Sequence, residues 1–425
     1  MRIHRLGRLL AGTVLLAALP AIPAPASRPP SWLPVVEIAR GGGTRGPWRQ
    51  NDSHYDYVDD ATAVFLPGGA LAVAWVDQRR KEVLLRVLDA NGKPRGEPVD
   101  VSRSPATFSW MPRLARGEEG ALHVLWQEII FSGGSHGGDI LFARSPDGGR
   151  TFSTPLNLSA SRGGDGKGRL TRDIWSNGSL DIAAGPNCSV IAAWTEYDGA
   201  LWLARSRNKG GSFMAPQRIA GTASSPARGP ALAVGDGGLV YLAWTVGEDA
   251  DADIRVARSR DGGATFGPPV LLGAPAARAD APRLALGRGG RLHLAYMEQA
   301  GKDAPAIRYA RAGTDLRFGA VRTLSTPGKG ATAPQLAVDG QGRVHLTWEQ
   351  VDRKGMWHVV DAGAGFSDPS SIPGSGDAHG RSGSQQGILG NKLAAGRDGA
   401  IAVVDSSLAQ GRGSRVRLMR AQDVR

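Results

Sequence analysis

Along most of the chain, runs of four to seven Val, Leu, Ile and Ala residues are broken by Gly-, Pro- and Asp-rich stretches, the pattern of short strands joined by turns. One strand type recurs. It reads LAVAWVD ending at Asp77, LHVLWQE at Glu128, VIAAWTE at Glu196, VYLAWTV at Val246, LHLAYME at Glu298, VHLTWEQ at Gln350 and IAVVDS at Ser406. Trp75, Trp126, Trp194, Trp244, Tyr296 and Trp348 mark one position of that repeat, 50 to 52 residues apart, with 68 between Trp126 and Trp194. A period of this length is the mark of a repeat architecture, and the wider gap calls for an insertion.

Each copy reads as four short strands: an inner strand such as APRLALG (281–287), the Trp strand, a strand ending in Ala-Arg-Ser, and an outer strand such as PPVLLG. Four strands per repeat predict an all-β chain, a seven-bladed β-propeller, with six blades as the alternative if one copy is a false match. The last copy, from Asn391, runs out after SRVRLMR, and LPVVEIAR (33–40) is an orphan outer strand, so the N-terminal strand is expected to complete the final blade and close the ring. Closure removes the exposed sheet edge.

A four-stranded meander separates two faces. Turns between the first and second strands are short and stereotyped (GDGG from Gly235, GRGG from Gly287, DGQG from Asp339), and they share a face with the turns between the third and fourth strands. On the other face the connections are long and irregular: residues 41–60, 102–112, the insertion 160–180, and 371–392. Sites on a rigid scaffold gather on such loops, so a ligand is expected there and at the mouth of the central channel.

Composition then adjusts the picture. Sixty Gly and 27 Pro fall at the turns and do not argue for disorder. Residues 1–26 read as a secretory signal peptide, with Arg2, Arg5 and Arg8 before an apolar run that ends at Ala24-Pro25-Ala26. Residues 27–425 then form one propeller domain, secreted or periplasmic, with no transmembrane segment after cleavage and no lipobox cysteine. Cys188 is the only cysteine, which excludes an intramolecular disulfide; it is expected as a small buried or turn residue. The net charge of +12, carried largely by arginine, suits acidic partners. An acidic glycan or another anionic ligand fits that balance, as does an envelope protein, whereas nucleic acid is not expected as the partner.

Within the repeats stand S-x-D-x-G-x-T-F at 145–152 and 259–266, and S-x-N-x-G-x-S-F at 206–213. This resembles the Asp box of the sialidase-like (BNR-repeat) propellers. In these turns Ser145, Asp147, Gly149 and Phe152, then Ser206, Asn208 and Phe213, then Ser259, Asp261, Gly263 and Phe266 are read as structural, on the face opposite the long loops. The resemblance implies a Tyr nucleophile assisted by Glu, an Asp acid/base and three carboxylate-binding arginines, one in an Arg-Ile-Pro motif on the first inner strand. Asp59-Asp60-Ala61-Thr62 stands at that place, without Arg or Ile-Pro.

Other residues offer an anion site. Arg113 and Arg283 occupy the same early position on two inner strands, and Arg172 and Arg381 lie on loops. Acids follow the marker aromatic: Asp77, Glu128, Glu196, Glu298 and Glu349, with Asp405 in the last blade. They are expected either as a broken ring of carboxylates at the channel mouth or paired with arginines such as Arg113 and Arg283. Trp48, Tyr55, Tyr57, Trp110 and Trp175 are candidates to stack on sugar rings, and Tyr55, Tyr57 and Tyr197 to act as nucleophile. Asp249, Asp251 and Asp253 alternate without the Gly and distant Glu of a calcium loop, and His54, His136 and His379 have no ligand spacing, so neither a metal nor another cofactor is expected. Three readings follow: a glycan-binding propeller, an exo-acting sialidase or related glycoside hydrolase with a non-standard arginine cluster, and an envelope scaffold.

Overall fold

The computed structural model describes residues 30–422 except positions 48, 50, 105, 129–138, 160–179, 197–198, 223, 248–251, 354, 377–380, 383–390 and 410. It is a seven-bladed propeller of antiparallel four-stranded blades. From inner to outer strand, blade 1 runs through Val58–Phe65, Leu71–Asp77, Glu82–Leu88 and Val99–Asp100. Blades 2 to 6 repeat the meander, with inner strands Ser109–Arg116, Leu180–Ala184, Ala227–Val234, Ala277–Leu286 and Ala331–Val338.

Blade 7 takes Leu393–Ala395, Ile401–Ala409 and Gly413–Gln422 from the C-terminal end, and its outer strand, Val36–Gly41, from the N-terminal end. Leu418 is in register with Val36 and Ser414 with Gly41, so the orphan strand does close the ring. Closure also fixes blade 1, because Ser414 Oγ accepts the Val58 N–H at 2.9 Å and donates to Gly42 O at 2.9 Å.

The marker aromatics are the core of the blade-to-blade layers: Trp126, Trp194 and Trp348 are fully buried, and Trp75, Trp244 and Tyr296 nearly so. In blade 7 the pairing corrects the sequence alignment. Ile401 occupies the place of Leu71, so Asp405 stands at the marker position itself, where the other blades have an aromatic, and is not an acid beyond it. Arg417 compensates by donating to it at 2.7 Å.

The turns of one face are as uniform as their sequences. Pro67–Gly69, Glu118–Gly120, Asp236–Gly238 and Arg288–Gly290 are single 3₁₀ turns, each with a residue of positive φ in the middle. The S-x-[DN]-x-G turns share one bond pattern. Ser145 Oγ donates to Asp147 Oδ1 (2.7 Å) and accepts from Gly149 N–H (2.8 Å), while Asp147 accepts from Thr151 N–H (3.0 Å). The same contacts recur at Ser259, Asp261, Gly263 and Thr265, and at Ser206, Asn208, Gly210 and Ser212. Burial opposes ionisation, but the bonds from Thr151, Ser145 and Arg150 together outweigh it and hold the Asp147 carboxyl down to about 2. A Cβ on Gly149, at φ 95°, would come within 2.9 Å of Leu85, so this glycine lets two blades approach. Phe152 is buried at the seam between blades 1 and 2, and Phe213 packs edge-on to Phe142 at 4.8 Å. Cys188 is a turn residue at φ 61°, its N–H bonded to Glu118.

Candidate functional site: the channel throat and the long-loop face

Five inner strands carry the same irregularity. The ladder slips one residue at Asp60, Met111, Gly229, Ala281 and Ala333, each at φ between 51° and 59°, and four of these are followed by proline. Such bulges re-aim side chains, and left-handed non-glycine residues persist only where the surroundings enforce them. Their effect is to line up residues from all blades at one level. Thr62, Arg113, Asp181, Ala231, Arg283 and Gln335 are each paired with the residue just before the marker aromatic, and Lys392 O accepts the N–H of Val404 at the same level in blade 7. All seven are buried.

The polar members of this ring bond to neighbouring inner strands. Arg113 donates Nε to Leu180 O at 3.2 Å and Nη1 to Pro112 O at 3.1 Å, and Arg283 donates Nε to Pro334 O at 3.3 Å. Burial lowers the pKa of Arg113, and lowers that of Arg283 to about 10, with Asp181 opposing both shifts and Arg113 adding to the second. Arg283 of blade 5 thus feels the charges of Arg113 in blade 2 and Asp181 in blade 3 across the axis. Asp181 is the counter-charge. It also accepts Leu232 N–H at 2.8 Å and Asn391 Nδ2–H at 3.4 Å, the latter again across the axis, and burial raises its pKa against the pull of both arginines. Inner-strand alignment, rather than alignment on the Trp strands, is the signal that exposes Asp181 and Lys392.

One step nearer the long loops, residues preceding the bulges bridge blades. Arg228 Nη1 meets both oxygens of Asp280 at 2.9 and 3.0 Å, and Thr245 Oγ1 bonds the same carboxylate at 3.0 Å. Arg228-Gly229-Pro230 is thus an Arg-x-Pro on the fourth inner strand, whereas the first has Asp59. Asp59 accepts from Ser406 Oγ at 2.7 Å, and burial together with the neighbouring Asp60 pushes its carboxyl up to about 7.

The acids beyond the marker do not form an open ring. Side chains two apart on a strand share a face, so Glu128 and Glu196 accept the indole N–H of Trp126 (2.8 Å) and Trp194 (3.3 Å). Glu128 is wholly buried and also accepts from Ser109 Oγ (2.8 Å) and Thr107 Oγ1, which withdraws it from any ligand. Glu298 pairs with Arg308 (2.8 Å) and Glu349 with Lys392 (2.9 Å), while Asp77 accepts the Arg79 and Arg80 N–H groups. None of these partners is Arg113 or Arg283.

The loop aromatics also differ from expectation. Tyr55, Tyr57 and Trp110 are buried against one another and Phe108, with centroids 5.3 to 6.3 Å apart, rather than presented to sugar rings. Hairpin pairing of Thr44–Arg45 with Tyr55–Asp56 folds the loop inward. Burial, then Asp59, raises the Tyr57 hydroxyl well above 10, the opposite of an activated nucleophile. Trp48, Arg172, Trp175, Tyr197, His136, His379, Asp249 and Asp251 lie outside the described residues. The backbone of Arg381 pairs with Leu408, and its side chain is outside the described part.

On the long-loop face over blade 1, a groove of about 540 Å³ is lined by Asn51, Asp52, His54, Asp56, Arg79 and Lys81 among others. Asn51 anchors it, accepting from Phe108 N–H (3.0 Å) through Oδ1 and from Lys81 Nζ (2.7 Å) through its carbonyl oxygen. The exposed Arg79 guanidinium has no partner among the described residues. Among those residues no group of three His, Cys, Asp or Glu is placed to hold a metal ion, and no helix is long and apolar enough to cross a membrane.

No family model and no curated protein matches the chain. Solved structures do. An ulvan lyase of a new polysaccharide lyase family, bound to -[GlcA(1-4)Rha3S]-, superposes with a TM-score of 0.55 at 11% identity over 89% of this chain and 94% of its own. A Penicillium chrysogenum α-L-arabinanase complexed with arabinobiose gives 0.48 at 14% identity over 72% and 92%, and a Hadza microbial sialidase 0.43 at 15% over 83% and 73%. At these identities the likeness speaks for architecture. The chain shares its fold with the ulvan lyase.

Proposed function

We propose that this is a secreted or periplasmic carbohydrate-binding propeller that takes an acidic glycan on its long-loop face. The blade 1 groove carries this reading: the exposed Asp52 carboxylate suits sugar hydroxyls, and the Arg79 fork, without a partner among the described residues, suits a uronate or sulfate. The ulvan lyase of the same fold, bound to a glycan built from a uronate and a sulfated sugar, supports the ligand class. The turns at 145–152, 206–213 and 259–266 are read as Asp boxes with a scaffold role, and residues 1–26 as the export signal. Binding, rather than hydrolysis, is favoured by the commitment of Glu128, Glu298 and Glu349 to partners within the protein.

The test is a glycan array probed with residues 27–425. Retention of uronate- or sulfate-bearing glycans over neutral ones is expected, with Arg79→Ala weakening it about tenfold, the loss of one charge-assisted contact. No retained glycan, or retention indifferent to Arg79→Ala and His54→Ala, overturns the reading, and release from a fluorogenic sialoside would replace binding by catalysis.

A further inference from the structure

Below the throat, towards the short-turn face, the channel widens into a cavity of about 550 Å³. Its ceiling is polar, formed by Asp181, Arg283, Gln335 and Asn391. Its wall is apolar, because the residue following each throat position is Ala, Leu or Ile in every blade, from Ala63 in blade 1 to Leu393 in blade 7. Its rim holds Arg116, half-buried at the end of the blade 2 inner strand, and Arg397, exposed in the first turn of blade 7.

These two guanidinium groups are close enough that Arg397, after burial, lowers the pKa of Arg116, and neither has an acidic partner among the described residues. Asp398, the acid of the rim, is turned back into its own hairpin, where Oδ1 accepts Ala400 N–H at 3.2 Å. Two like charges left unrelieved over an apolar cup favour an anion between them. A few polar groups over an apolar wall is the usual make-up of a small-molecule site.

We propose that this end of the channel is a second binding site, for a small amphipathic carboxylate whose head lies between Arg116 and Arg397 and whose apolar body enters the channel. It faces away from the long loops and stands independently of the glycan reading.

Calorimetric titration with 2-naphthoate and octanoate tests it, with 2-naphthalenemethanol as the uncharged counterpart. Saturable one-to-one binding of at least one carboxylate is expected, at least tenfold tighter than the alcohol. Arg397→Gln, at an exposed side chain that makes no bond among the described residues, is expected to weaken it about fivefold, and Arg116→Gln with Arg397→Gln more than tenfold. Leu336→Trp, at a half-buried wall residue, should fill the cup and abolish it with the melting transition retained. No saturable binding of either carboxylate, equal affinity for the alcohol, or binding unchanged in the arginine variants overturns the proposal.

Discussion

The two ends of the channel are built by opposite means. At the short-turn end the same turns recur, as the Ser259, Asp261 and Gly263 turn of blade 4 does in blades 2 and 3, and the cavity there is lined by one Ala, Leu or Ile from each blade. At the long-loop end each blade differs: blade 1 brings a hairpin and a polar groove, blades 4 and 5 a buried Arg228–Asp280 pair, and blade 7 the Lys392–Glu349 pair with blade 6. Repetition therefore marks what holds the ring, and irregularity marks where chemistry can vary without disturbing it. Between the two ends, the throat ring is regular in backbone and irregular in side chains.

The largest effect should come from breaking that ring. Asp181→Ala removes the carboxylate that accepts the Leu232 N–H and opposes the burial of the Arg113 and Arg283 charges, and is expected to cost about 1–3 kcal/mol in urea unfolding. A cost below about 1 kcal/mol would mean the arginines do not depend on Asp181.

A smaller effect is set by pH. Asp59 and Asp405 are raised to about 7 and about 6, each chiefly by burial, from an ordinary value of 3.8. Between these limits the folded chain keeps protons that the unfolded chain has lost, so their contribution to stability falls as pH rises from about 4 to about 7 and levels off above. Asp59→Asn should flatten part of that slope. An unchanged slope in the variant would remove Asp59 from the account.

Smaller still is relief of the bulges. Ala281 is left-handed at φ 56°, so Ala281→Gly should raise stability by up to about 1 kcal/mol, the gain in backbone strain being partly offset by unfolded-state entropy. A clear loss in melting temperature would show that the methyl group packs more than it strains.

Architecture was legible because it repeats. The marker Trp period, the stereotyped turns and the orphan strand at 33–40 were enough for seven blades and their closure. The site was less so. The role of Glu128 follows from strand periodicity once Trp126 is taken as core, since residues two apart share a face. The throat residues Asp181 and Lys392 were hidden because five of the seven inner strands count one residue differently across the bulge, and the x-Pro dipeptides at 111–112, 229–230, 281–282 and 333–334 were the readable sign of it. The cross-axis bond of Asn391 to Asp181 joins residues 210 positions apart, which no local pattern encodes.

The division between the ends is tested most directly by measuring two variants two ways, with binding of an array-selected uronate oligosaccharide and urea midpoint read for each. Asp261→Ala should lower the midpoint, by about 1–3 kcal/mol in stability, and leave affinity at the wild-type value. Arg79→Ala should leave the midpoint within about 0.5 kcal/mol and weaken binding about tenfold. Affinity lost in folded Asp261→Ala, or kept in Arg79→Ala, would contradict it.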